Sequence, residues 1–394
     1  MALMMRSGQQ DGPGNTFTRP LAIIADDLTG ACDTGIFFAK VPTVAWCDLA
    51  SFDATAADVH VFVTNSRHDE PDVAAEKVRI AVHTAISAGL DVVYKKVDST
   101  LKGNIGAEVE ATLRASNKHQ AFIAPAFPSM GRRIHGGFLR FDQPHPGVAP
   151  NLLSTLRSQT SLPISHLTAV SADQGLIPTA PDTPQLFVFD TNEVNELQTI
   201  AAAAYDDLKS TILVGSGGLA RQLANLMIPN HGVLSEIRPV AHYKTRPTII
   251  ISGSQNPVSA QQLQRLELSR GAQTHWLTDA TMSNLESTLT ENRPLILKVG
   301  ARTQEETTQL RSLLPRISKM QPHGLVFIGG DTAGWVCDIS QTRGIMLGNE
   351  ILRGLPYGTF IGGMLGGTRV CTKAGGFGNE IALEKVFDHL TNLA

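Results

Sequence analysis

The sequence predicts an α/β fold with two domains, each built on a mainly parallel sheet flanked by helices, and a ligand site in the interdomain cleft. Short apolar runs such as LAIIA, VHVFVT and TILVGS recur along the chain, and continuously apolar runs are typical of parallel strands covered on both faces. Alanine-rich segments with helical periodicity, such as PDVAAEKVRIAVHTAISAGL, separate them. The length of 394 residues exceeds what a single core usually holds, which favours two domains.

The domain boundary is predicted near residue 240. The alternation of strands and helices pauses in the polar, proline-bounded stretch IRPVAHYKTRP at 237–247 and restarts with TIIISGS. We therefore expect a loose tail at 1–20, a first domain at 21–240 and a second at 241–394. The stretch 141–185, rich in Pro, Ser and Thr, is expected to form an irregular excursion from the first domain.

The composition argues against several functional classes. Charged residues make up 18% and the net charge is -3, so no broad basic surface suggests a nucleic-acid partner. No apolar run approaches the roughly 18 residues of a membrane span, and residues 1–20 lack the pattern of a secretion signal. Four scattered cysteines without CxxC spacing predict reduced thiols. We expect a cytoplasmic protein that binds small molecules, with a homodimer as the default assembly.

Carboxylates follow the first strand at once. The stretch LAIIADDLTGACDTG puts Asp26 and Asp27 directly after the apolar run and Asp33 one turn into the next helix. In open parallel sheets, ligands bind beyond the carboxyl ends of the strands. A single helix cap, supplied by Asp27 or Thr29, does not need two carboxylates, so we expect at least one of the pair to face a ligand. Asp33 either faces the ligand too or only favours the positive end of the helix dipole.

Cations and hydroxyls follow the next two strands. Arg67 comes after VFVTNS, where its guanidinium could hold a carboxylate through two parallel hydrogen bonds. The stretch VVYKKVDSTLKG crowds lysines, a carboxylate and hydroxyls together. Alternation along a strand puts Lys95 and Lys96 on opposite faces, so we expect one to point inward and the other to be solvated. A surface ion pair for Arg67, and a solvated loop with a helix cap at Ser99 or Thr100, are the alternatives.

A fourth strand end, APAFPSMGRRIHGG, adds Arg132, Arg133 and His135 among glycines and prolines. The four strand ends of the first half therefore offer carboxylates, hydroxyls and cations. This combination suits a small anionic molecule that carries hydroxyl groups, and it predicts a polar cleft for a polyhydroxy acid.

The second half supplies glycines where the first supplies charges. The runs TIIISGSQNPVS, VFIGGDTAGW and CTKAGGFGNE each put a tight turn after a strand, and LPYGTFIGGMLGG lies just upstream of the last. Backbone N–H groups at such turns bind anions, although many turn glycines are only structural. Three turns, with a lysine beside one, favour a nucleotide polyphosphate. Walker-type GxxxxGKS/T, GxGxxG, GxSxG and close His/Cys pairs do not occur, which argues against a Walker-type phosphate loop, a dinucleotide oxidoreductase, a serine hydrolase of that design and a zinc site.

The ordered motifs resemble those of the four-carbon acid sugar kinases. IADDLTGACDTG, TNSR, KKVDSTLKGNIGAE, APAFPSMGR, VGSGGLA, ISGSQNPVS, GGDTA and TKAGGFGNE cover nearly the whole chain after residue 20. The resemblance implies that ATP, with Mg²⁺, phosphorylates the terminal hydroxyl of a four-carbon sugar acid. DDLTGACDTG and TKAGGFG look more like the D-threonate kinase branch than the 3-oxo-tetronate branch. D-threonate is therefore the expected substrate, with D-erythronate and 3-oxo-tetronate as alternatives.

The resemblance also implies roles for individual residues. The sugar acid would be bound by Asp26, Arg67, Lys96, Val97, Asp98 and Ser99. The nucleotide would be bound by residues of the second half, namely Ser254, Gly330, Asp331, Thr332, Gly358, Gly362, Gly363, Lys373, Gly375 and Gly376. At ILRGLPYG the chain departs from the family's more frequent LPG, and we expect Arg353 to alter a nucleotide-side loop.

We expect Asp26 or Asp27 to deprotonate the accepting hydroxyl, with Asp98 as the second candidate, and the metal ligands stay open. Two other functional classes also stay open. One is a dehydrogenase or lyase acting on the same acids, and the other is a two-domain sugar-acid sensor.

Overall fold

The structure, a computed structural model, describes residues 20–142, 148–175, 177, 183–228, 246–278 and 293–392. The expected tail, apart from residue 20, and the expected boundary near residue 240 lie outside these residues. Within them the α/β class is confirmed, since strands and helices alternate along both halves of the chain.

The first half forms the strands and helices that its apolar runs predict. Its strands are β1 (Leu21–Ala25), β2 (Thr43–Trp46), β3 (Val59–Val63), β4 (Asp91–Lys96), β5 (Gln120–Ala124), β6 (Arg132–His135), β7 (Phe138–Phe141), β8 (Ile164–Thr168), β9 (Gln185–Asp190) and β10 (Thr211–Gly215). Its helices are α1 (Leu28–Gly35), α2 (Pro71–Ser87), α3 (Ile105–Ser116), α4 (Leu152–Gln159), α5 (Ala169–Asp173), α6 (Val194–Tyr205) and α7 (Gly217–Met227). The expectation of an irregular stretch at 141–185 is therefore wrong for α4, β8 and α5.

The second half repeats the alternation and ends in antiparallel strands. Its strands are β11 (Thr248–Ser252), β12 (Gln273–Trp276), β13 (Pro294–Lys298), β14 (Gly324–Ile328), β15 (Gly344–Leu352), β16 (Leu355–Ile361) and β17 (Arg369–Lys373). Its helices are α8 (Pro257–Arg270), α9 (Gln304–Met320), α10 (Gly330–Ser340) and α11 (Ala382–Asn392). No helix in the described ranges combines the length and apolarity needed to cross a membrane.

The strands of both halves join into one sheet, whereas the sequence indicates one sheet per domain. The order is β12-β13-β11-β14-β17-β16-β15-β2-β3-β1-β4-β10-β5-β9-β8, and β6 and β7 form a separate hairpin. Within the large sheet the neighbours are parallel except at β2–β15, β15–β16 and β16–β17. The antiparallel pairing of β2 with β15 is the junction between the halves. The polar stretch between the two halves of the sequence indicates the change of domain, but it does not indicate that β2 pairs with β15.

Helices cover both faces of the sheet, which is why the strands read as apolar throughout. Ile23 packs into the hydrophobic cluster on one face and Ile24 into the cluster on the other, and both are fully buried. Burying such a side chain contributes roughly 1.5–3 kcal/mol. The first of these clusters also contains Ile251 from β11, so the core as well as the sheet is continuous between the halves.

The parallel registers bring the carboxyl ends of the strands into line. Ala25 is opposite Val63 on one side and Lys96 on the other. In the second half, Ser252 is opposite Ile328, which in turn is opposite Lys373. The polar segments that follow these strands therefore gather at two stretches of the same sheet.

Candidate active site

A cavity of about 650 Å³ lies where these strand ends meet, and both halves line it. The predicted residues of the first half that line it are Asp27, Asp33, Arg67, Lys96, Asp98, Ser99 and Arg132. The predicted residues of the second half that line it are Ser254, Gly330, Asp331, Thr332, Gly375 and Gly376. The structure thus brings most of the predicted polar groups to one place.

Arg67 links the two carboxylates that follow β1. Its Nε donates to Asp26 Oδ2 at 2.7 Å, while Nη1 and Nη2 donate to Asp27 at 3.1 and 2.7 Å. All three side chains are largely buried, with side-chain exposures of 14% for Arg67, 4% for Asp26 and 6% for Asp27. The alternative of a surface ion pair for Arg67 is therefore wrong, and three of its five N–H donors already have protein acceptors.

Asp27 is the N-cap of α1, as the alternative interpretation of this residue proposed. Its Oδ1 accepts from the Gly30 backbone N–H at 3.0 Å and its Oδ2 from the Thr29 hydroxyl at 2.7 Å. With the two bonds from Arg67, each carboxylate oxygen has two donors. Since a carboxylate has about four acceptor sites, Asp27 has little capacity left to take a proton.

Asp26 differs from its neighbour because one oxygen is free. Its Oδ1 is buried and has no hydrogen-bond partner. Burial raises the pKa of Asp26, but the charges of Arg67, Lys96 and Lys95 outweigh burial and bring the pKa below its usual value. Asp26 is therefore held as a carboxylate. It does not line the large cavity but a smaller adjoining one of about 220 Å³.

Both lysines at the end of β4 are buried, so the expectation that one of them is solvated is wrong. Lys95 Nζ lies 2.7 Å from Glu108 Oε2 on α3 and donates to the Lys96 carbonyl at 2.7 Å. Glu108 also accepts from Ser66 at 2.7 Å. Because helices cover both faces of the sheet, the outward-facing lysine meets α3 instead of water.

Of these two lysines, Lys96 is the one that lines the cavity. It is 4% exposed, and its ammonium has no hydrogen-bond or ion-pair partner among the described residues. Gly30 makes room for it, since a Cβ at Gly30 would lie 2.3 Å from Lys96 Nζ. A buried ammonium that lacks a partner is costly unless an anion joins it, which makes this position suitable for an anionic ligand.

The loop after β4 holds its own carboxylate in place. Asp98 Oδ2 accepts from the Thr100 hydroxyl and, at 3.1 Å, from the Thr100 backbone N–H. Ser99 lines the cavity beside it. Val97 does not line the cavity; it is buried, and its backbone N–H bonds to Gly215. The alternative of a solvated loop is wrong for Ser99, which is 7% exposed.

Asp33 also reaches the cavity and is 7% exposed. Its Oδ1 is buried without a partner. Burial raises the pKa of Asp33 to about 7; Lys96 opposes this rise, whereas Glu350 and Asp27 add to it. Asp33 is thus a titratable group facing the ligand space.

Only one of the three basic residues in the fourth strand-end motif reaches the cavity. Arg132 lies with its guanidinium 5.0 Å from the centre of the Phe377 ring, and its Nε is buried without a partner. Arg133 instead pairs with Asp142 and Glu193 away from the cavity. His135 is exposed outside it.

Of the helices in the described ranges, four begin at the cavity. The N-caps of α1, α7, α8 and α10 all line it, and they are Asp27, Ser216, Asn256 and Gly329. Helix N-termini carry partial positive charge and free N–H groups that attract anions. Ser216 and Asn256 are missing from the sequence prediction, although VGSGGLA and SGSQNP show the serine and asparagine caps that could have indicated them.

The glycine turns of the second half pack against one another at the cavity. A Cβ at Gly375 would lie 2.5 Å from Ser254 Oγ, and one at Gly253 would lie 2.5 Å from Thr332 Oγ1. Gly329 has φ +103, which an L side chain rarely adopts. The turns therefore require glycine for their close approach, and Gly253, Gly329 and Gly375 all line the cavity.

The halves also touch across the cavity. A Cβ at Gly330 would lie 2.2 Å from Asp27 Oδ2, so the start of α10 approaches the acidic pair directly. His68 of the first half lies 3.1 Å from Asp331 Oδ1, and Arg302 lies 3.6 Å from Asp331 Oδ2.

Four residues predicted to bind the nucleotide lie outside the cavity lining, and this corrects their placement. Lys373 is fully buried, and its ammonium donates to the Ala374 and Gly375 carbonyls, so it supports the glycine turn from behind. Burial lowers the pKa of Lys373 to about 8. Gly358 lies within β16, where a Cβ would meet the Met346 carbonyl.

The other two are Gly362 and Gly363, which turn the chain after β16 beside Arg343 and Ser340. Ser340 ends α10, about 15 Å along that helix from its cavity end. Arg353, the departure from the family pattern, is exposed in the turn between β15 and β16 and does not line the cavity. Within the described part of the chain, no group of three or more His, Cys, Asp or Glu side chains is arranged to hold a metal ion.

Two family models match the chain. One, described as a sugar-binding N-terminal domain, matches residues 21–223, and one, described as a nucleotide-binding C-terminal domain, matches residues 249–383. The ionic side of the cavity falls within the first match, and the glycine turns fall within the second.

Characterised relatives align over nearly the full chain. The D-threonate kinase of Cupriavidus necator is 30% identical, with 94% of this chain and 97% of the relative covered. The D-threonate kinase of Salmonella typhimurium is 28% identical, with 92% and 96% covered. A crystal structure of a protein from Salmonella typhimurium gives a TM-score of 0.74 at 20% identity, covering 93% of this chain and 98% of that one. At that identity the likeness concerns the fold alone.

Proposed function

Since this chain belongs to the four-carbon acid sugar kinase family, we propose that it transfers the γ-phosphoryl group of ATP to the terminal hydroxyl of D-threonate, giving 4-phospho-D-threonate. The enzyme class is that of a kinase for four-carbon sugar acids, and the choice of D-threonate is the proposal. It is supported by two D-threonate kinases that are 28% and 30% identical to this chain.

One observation carries the proposal, namely that the chemistry of the cavity differs between its two sides. The first half contributes seven lysine, arginine or aspartate side chains to the lining and the second half only two, Arg302 and Asp331, whereas six of the seven lining glycines come from the second half. Phosphoryl transfer needs alignment of the two reactants and neutralisation of charge more than covalent chemistry. A cavity with an ionic side and a turn-lined side is suited to holding a sugar acid against a polyphosphate.

The sugar acid, in this proposal, binds to the first half. The unpartnered ammonium of Lys96 is the cation best suited to take the substrate carboxylate. Arg67 keeps two N–H donors after its bonds to the carboxylates, and it contributes one to the substrate while fixing Asp26. Asp98 and Ser99 bind the hydroxyl groups.

The nucleotide, in this proposal, binds to the second half. The N–H groups of the turns at Ser254, Gly330 and Gly375 bind the phosphates, helped by the N-termini of α8 and α10. Mg²⁺, when bound, neutralises charge on the β- and γ-phosphates. Asp331 would hold such an ion in place of its contacts with the exposed side chains of His68 and Arg302, because its half-exposed carboxylate lines the cavity beside the turn at Gly330 and offers the hard oxygen that Mg²⁺ prefers.

An ADP-release assay with a panel of acids tests the proposal. Wild-type protein with Mg²⁺ and ATP should release ADP only when a four-carbon acid is present. D-threonate should exceed D-erythronate and 3-oxo-tetronate in kcat/KM by about tenfold or more, which corresponds to roughly 1.4 kcal/mol. Preference for another acid of the panel would change the substrate, and no acid-dependent ADP release would overturn the kinase assignment.

Two variants test whether the acid binds in the cavity. Lys96→Met should raise KM for the acid by about 10²-fold, because the carboxylate loses its charge-assisted partner. Arg133→Ala is the matched control, since Arg133 is a cation whose ion pairs lie outside the cavity. Equal KM values for these two variants would contradict the proposed role of Lys96.

A further inference from the structure

We propose that Asp33, and not a carboxylate of the pair after β1, is the general base that takes the proton from the accepting hydroxyl. This inference rests on the proposed function, because it assigns a step of the phosphoryl transfer. It differs from the expectation from the sequence, in which Asp26 or Asp27 deprotonates the hydroxyl and Asp98 is the second candidate.

A general base needs a lone pair that the protein does not already use. Asp27 has two donors on each oxygen. Asp98 Oδ2 accepts from the Thr100 hydroxyl, from the Thr100 backbone N–H and from the Lys102 backbone N–H. Burial raises the pKa of Asp98, but the charges of Arg67 and Lys96 outweigh burial and lower the pKa, which makes Asp98 a weaker base. Asp331 pairs with His68 and Arg302. Among the described carboxylates that line the large cavity, Asp33 is the one without a hydrogen-bond or ion-pair partner.

The position of Asp33 also suits a general base. Asp33 lies on α1, one turn beyond the residues that cap this helix, and it faces the same cavity as Lys96. Its Oδ2 lies 3.0 Å from where a Cβ on Gly217 would be, so only a glycine leaves the carboxylate its space beside the start of α7. Asp26 does not line this cavity. An acid whose carboxylate is held by Lys96 therefore has its hydroxyl groups in the cavity that Asp33 faces.

The basicity of Asp33 also suits this role. A carboxylate with a strongly lowered pKa is a weak base, and Asp26 is of this kind. Burial raises the pKa of Asp33 to about 7, which is the range in which general bases are most effective near neutral pH. The titratable or charged groups that act on Asp33 from the surrounding elements are Lys96, Glu350, Asp27, Arg221, Arg132, Tyr94 and Cys32.

The Asp33 carboxylate accepts the hydroxyl proton as the substrate oxygen forms its bond to the γ-phosphorus. The bond from that phosphorus to the bridging oxygen breaks, and its electron pair leaves with ADP. Asp33 then releases the proton to solvent before the next turnover.

The test compares pH profiles of kcat/KM for wild type, Asp33→Asn and Asp33→Glu between about pH 5.5 and 9. Wild-type kcat/KM should fall about tenfold per pH unit below roughly pH 7, because the protonated acid cannot accept a proton. Asp33→Asn should lose about 10²–10⁴ in kcat and should lack this acidic limb. Its dissociation constants for ATP and for the acid, measured by titration calorimetry, should stay within about threefold of wild type, which a merely structural role would not preserve.

Controls keep the result interpretable. Asp338→Asn is the control, because it removes another carboxylate whose pKa is raised by burial but which lies outside the large cavity. This variant should show the same fall of kcat/KM at acidic pH as wild type. If Asp33→Asn does not fold, Asp33→Glu is used for the test. Its longer side chain still carries a carboxylate, so the variant should retain activity, but the pH at which its kcat/KM falls should differ from that of wild type. An Asp33→Asn variant that keeps more than about a tenth of kcat, or an Asp33→Glu limb at the wild-type pH, would overturn the assignment. A wild type that phosphorylates no four-carbon acid would instead overturn the proposed function, so the two failures are distinguishable.

Discussion

Replacing Asp33 with asparagine should make the protein more stable at pH 8, because the fold disfavours the ionised form of this buried carboxyl. Burial raises its pKa from 3.8 to about 7. At roughly 1.4 kcal/mol per pKa unit, the fold makes ionisation of Asp33 less favourable than in the unfolded chain by about 4 kcal/mol. The figure is an upper value for the gain, since the asparagine amide lies beside cations that attract the carboxylate.

The pH dependence follows from the direction of the change. The native state binds its proton more tightly than the unfolded chain, so this stabilisation is complete below about pH 3.8 and is lost as the pH rises through about 7. Wild-type protein therefore carries the full cost of ionising Asp33 at pH 8. Asparagine resembles the protonated acid and avoids this cost at every pH.

Urea unfolding, followed by tryptophan fluorescence, measures the effect at several pH values. At pH 8 the free energy of unfolding of Asp33→Asn should be about 1–4 kcal/mol larger than that of wild type, and this difference should become smaller towards pH 4. Asp98→Asn is the matched control of opposite sign. Burial raises the pKa of Asp98, but Arg67, Lys96 and the bond from Thr100 outweigh it and lower the pKa. Asp98→Asn should therefore lower the free energy of unfolding at pH 8, and this loss of stability should disappear at acidic pH.

If Asp33→Asn is no more stable than wild type at pH 8 while Asp98→Asn behaves as expected, the fold does not disfavour the ionised form of Asp33. A difference for Asp33→Asn that does not change between pH 8 and pH 5 would also contradict the prediction, because a pH-independent gain has a cause other than ionisation.

Three further predictions concern the contacts around the cavity. Arg67→Ala should cost about 3–5 kcal/mol in urea unfolding, because it leaves two buried carboxylates without their cation; little or no loss would contradict the buried contacts described. Gly330→Ala should lower kcat/KM at least about tenfold, since its Cβ would lie 2.2 Å from an Asp27 oxygen, and steady-state ADP release measures this. Lys95→Met should cost about 3–5 kcal/mol by leaving Glu108 uncompensated, and adding Glu108→Leu should recover most of it in thermal unfolding; a single variant as stable as wild type would be the contrary result.

Much of the cavity could be predicted because its residues follow strands. Carboxyl ends of parallel strands meet at one edge, so a polar residue just after an apolar run, such as Arg67 or Lys96, has few other places to lie. Ser216 follows the same rule after β10 and could have been included. The sequence could not rank Asp33 above Asp27, because the ranking depends on hydrogen bonds that only the folded chain has.

Other features could not be predicted because they depend on which helix or strand packs against a residue in the folded chain. Lys95 is buried since α3 brings Glu108 to it, and strand alternation alone does not show this. Gly362 and Gly363 resemble a phosphate-binding turn in sequence, yet they turn the chain at the far end of α10. The β2–β15 pairing joins strands about 300 residues apart, and nothing local in either strand specifies its distant neighbour.

The shared sheet limits how freely the two halves can be treated as interchangeable modules. At the seam, Gly344 stands opposite Trp46, and a Cβ at Gly344 would lie 2.8 Å from the Ala45 carbonyl. A nucleotide half transplanted from a relative would have to bring a matching strand with a glycine at that position. Recombination between family members should therefore succeed or fail according to compatibility at this seam, whatever the similarity of their binding residues.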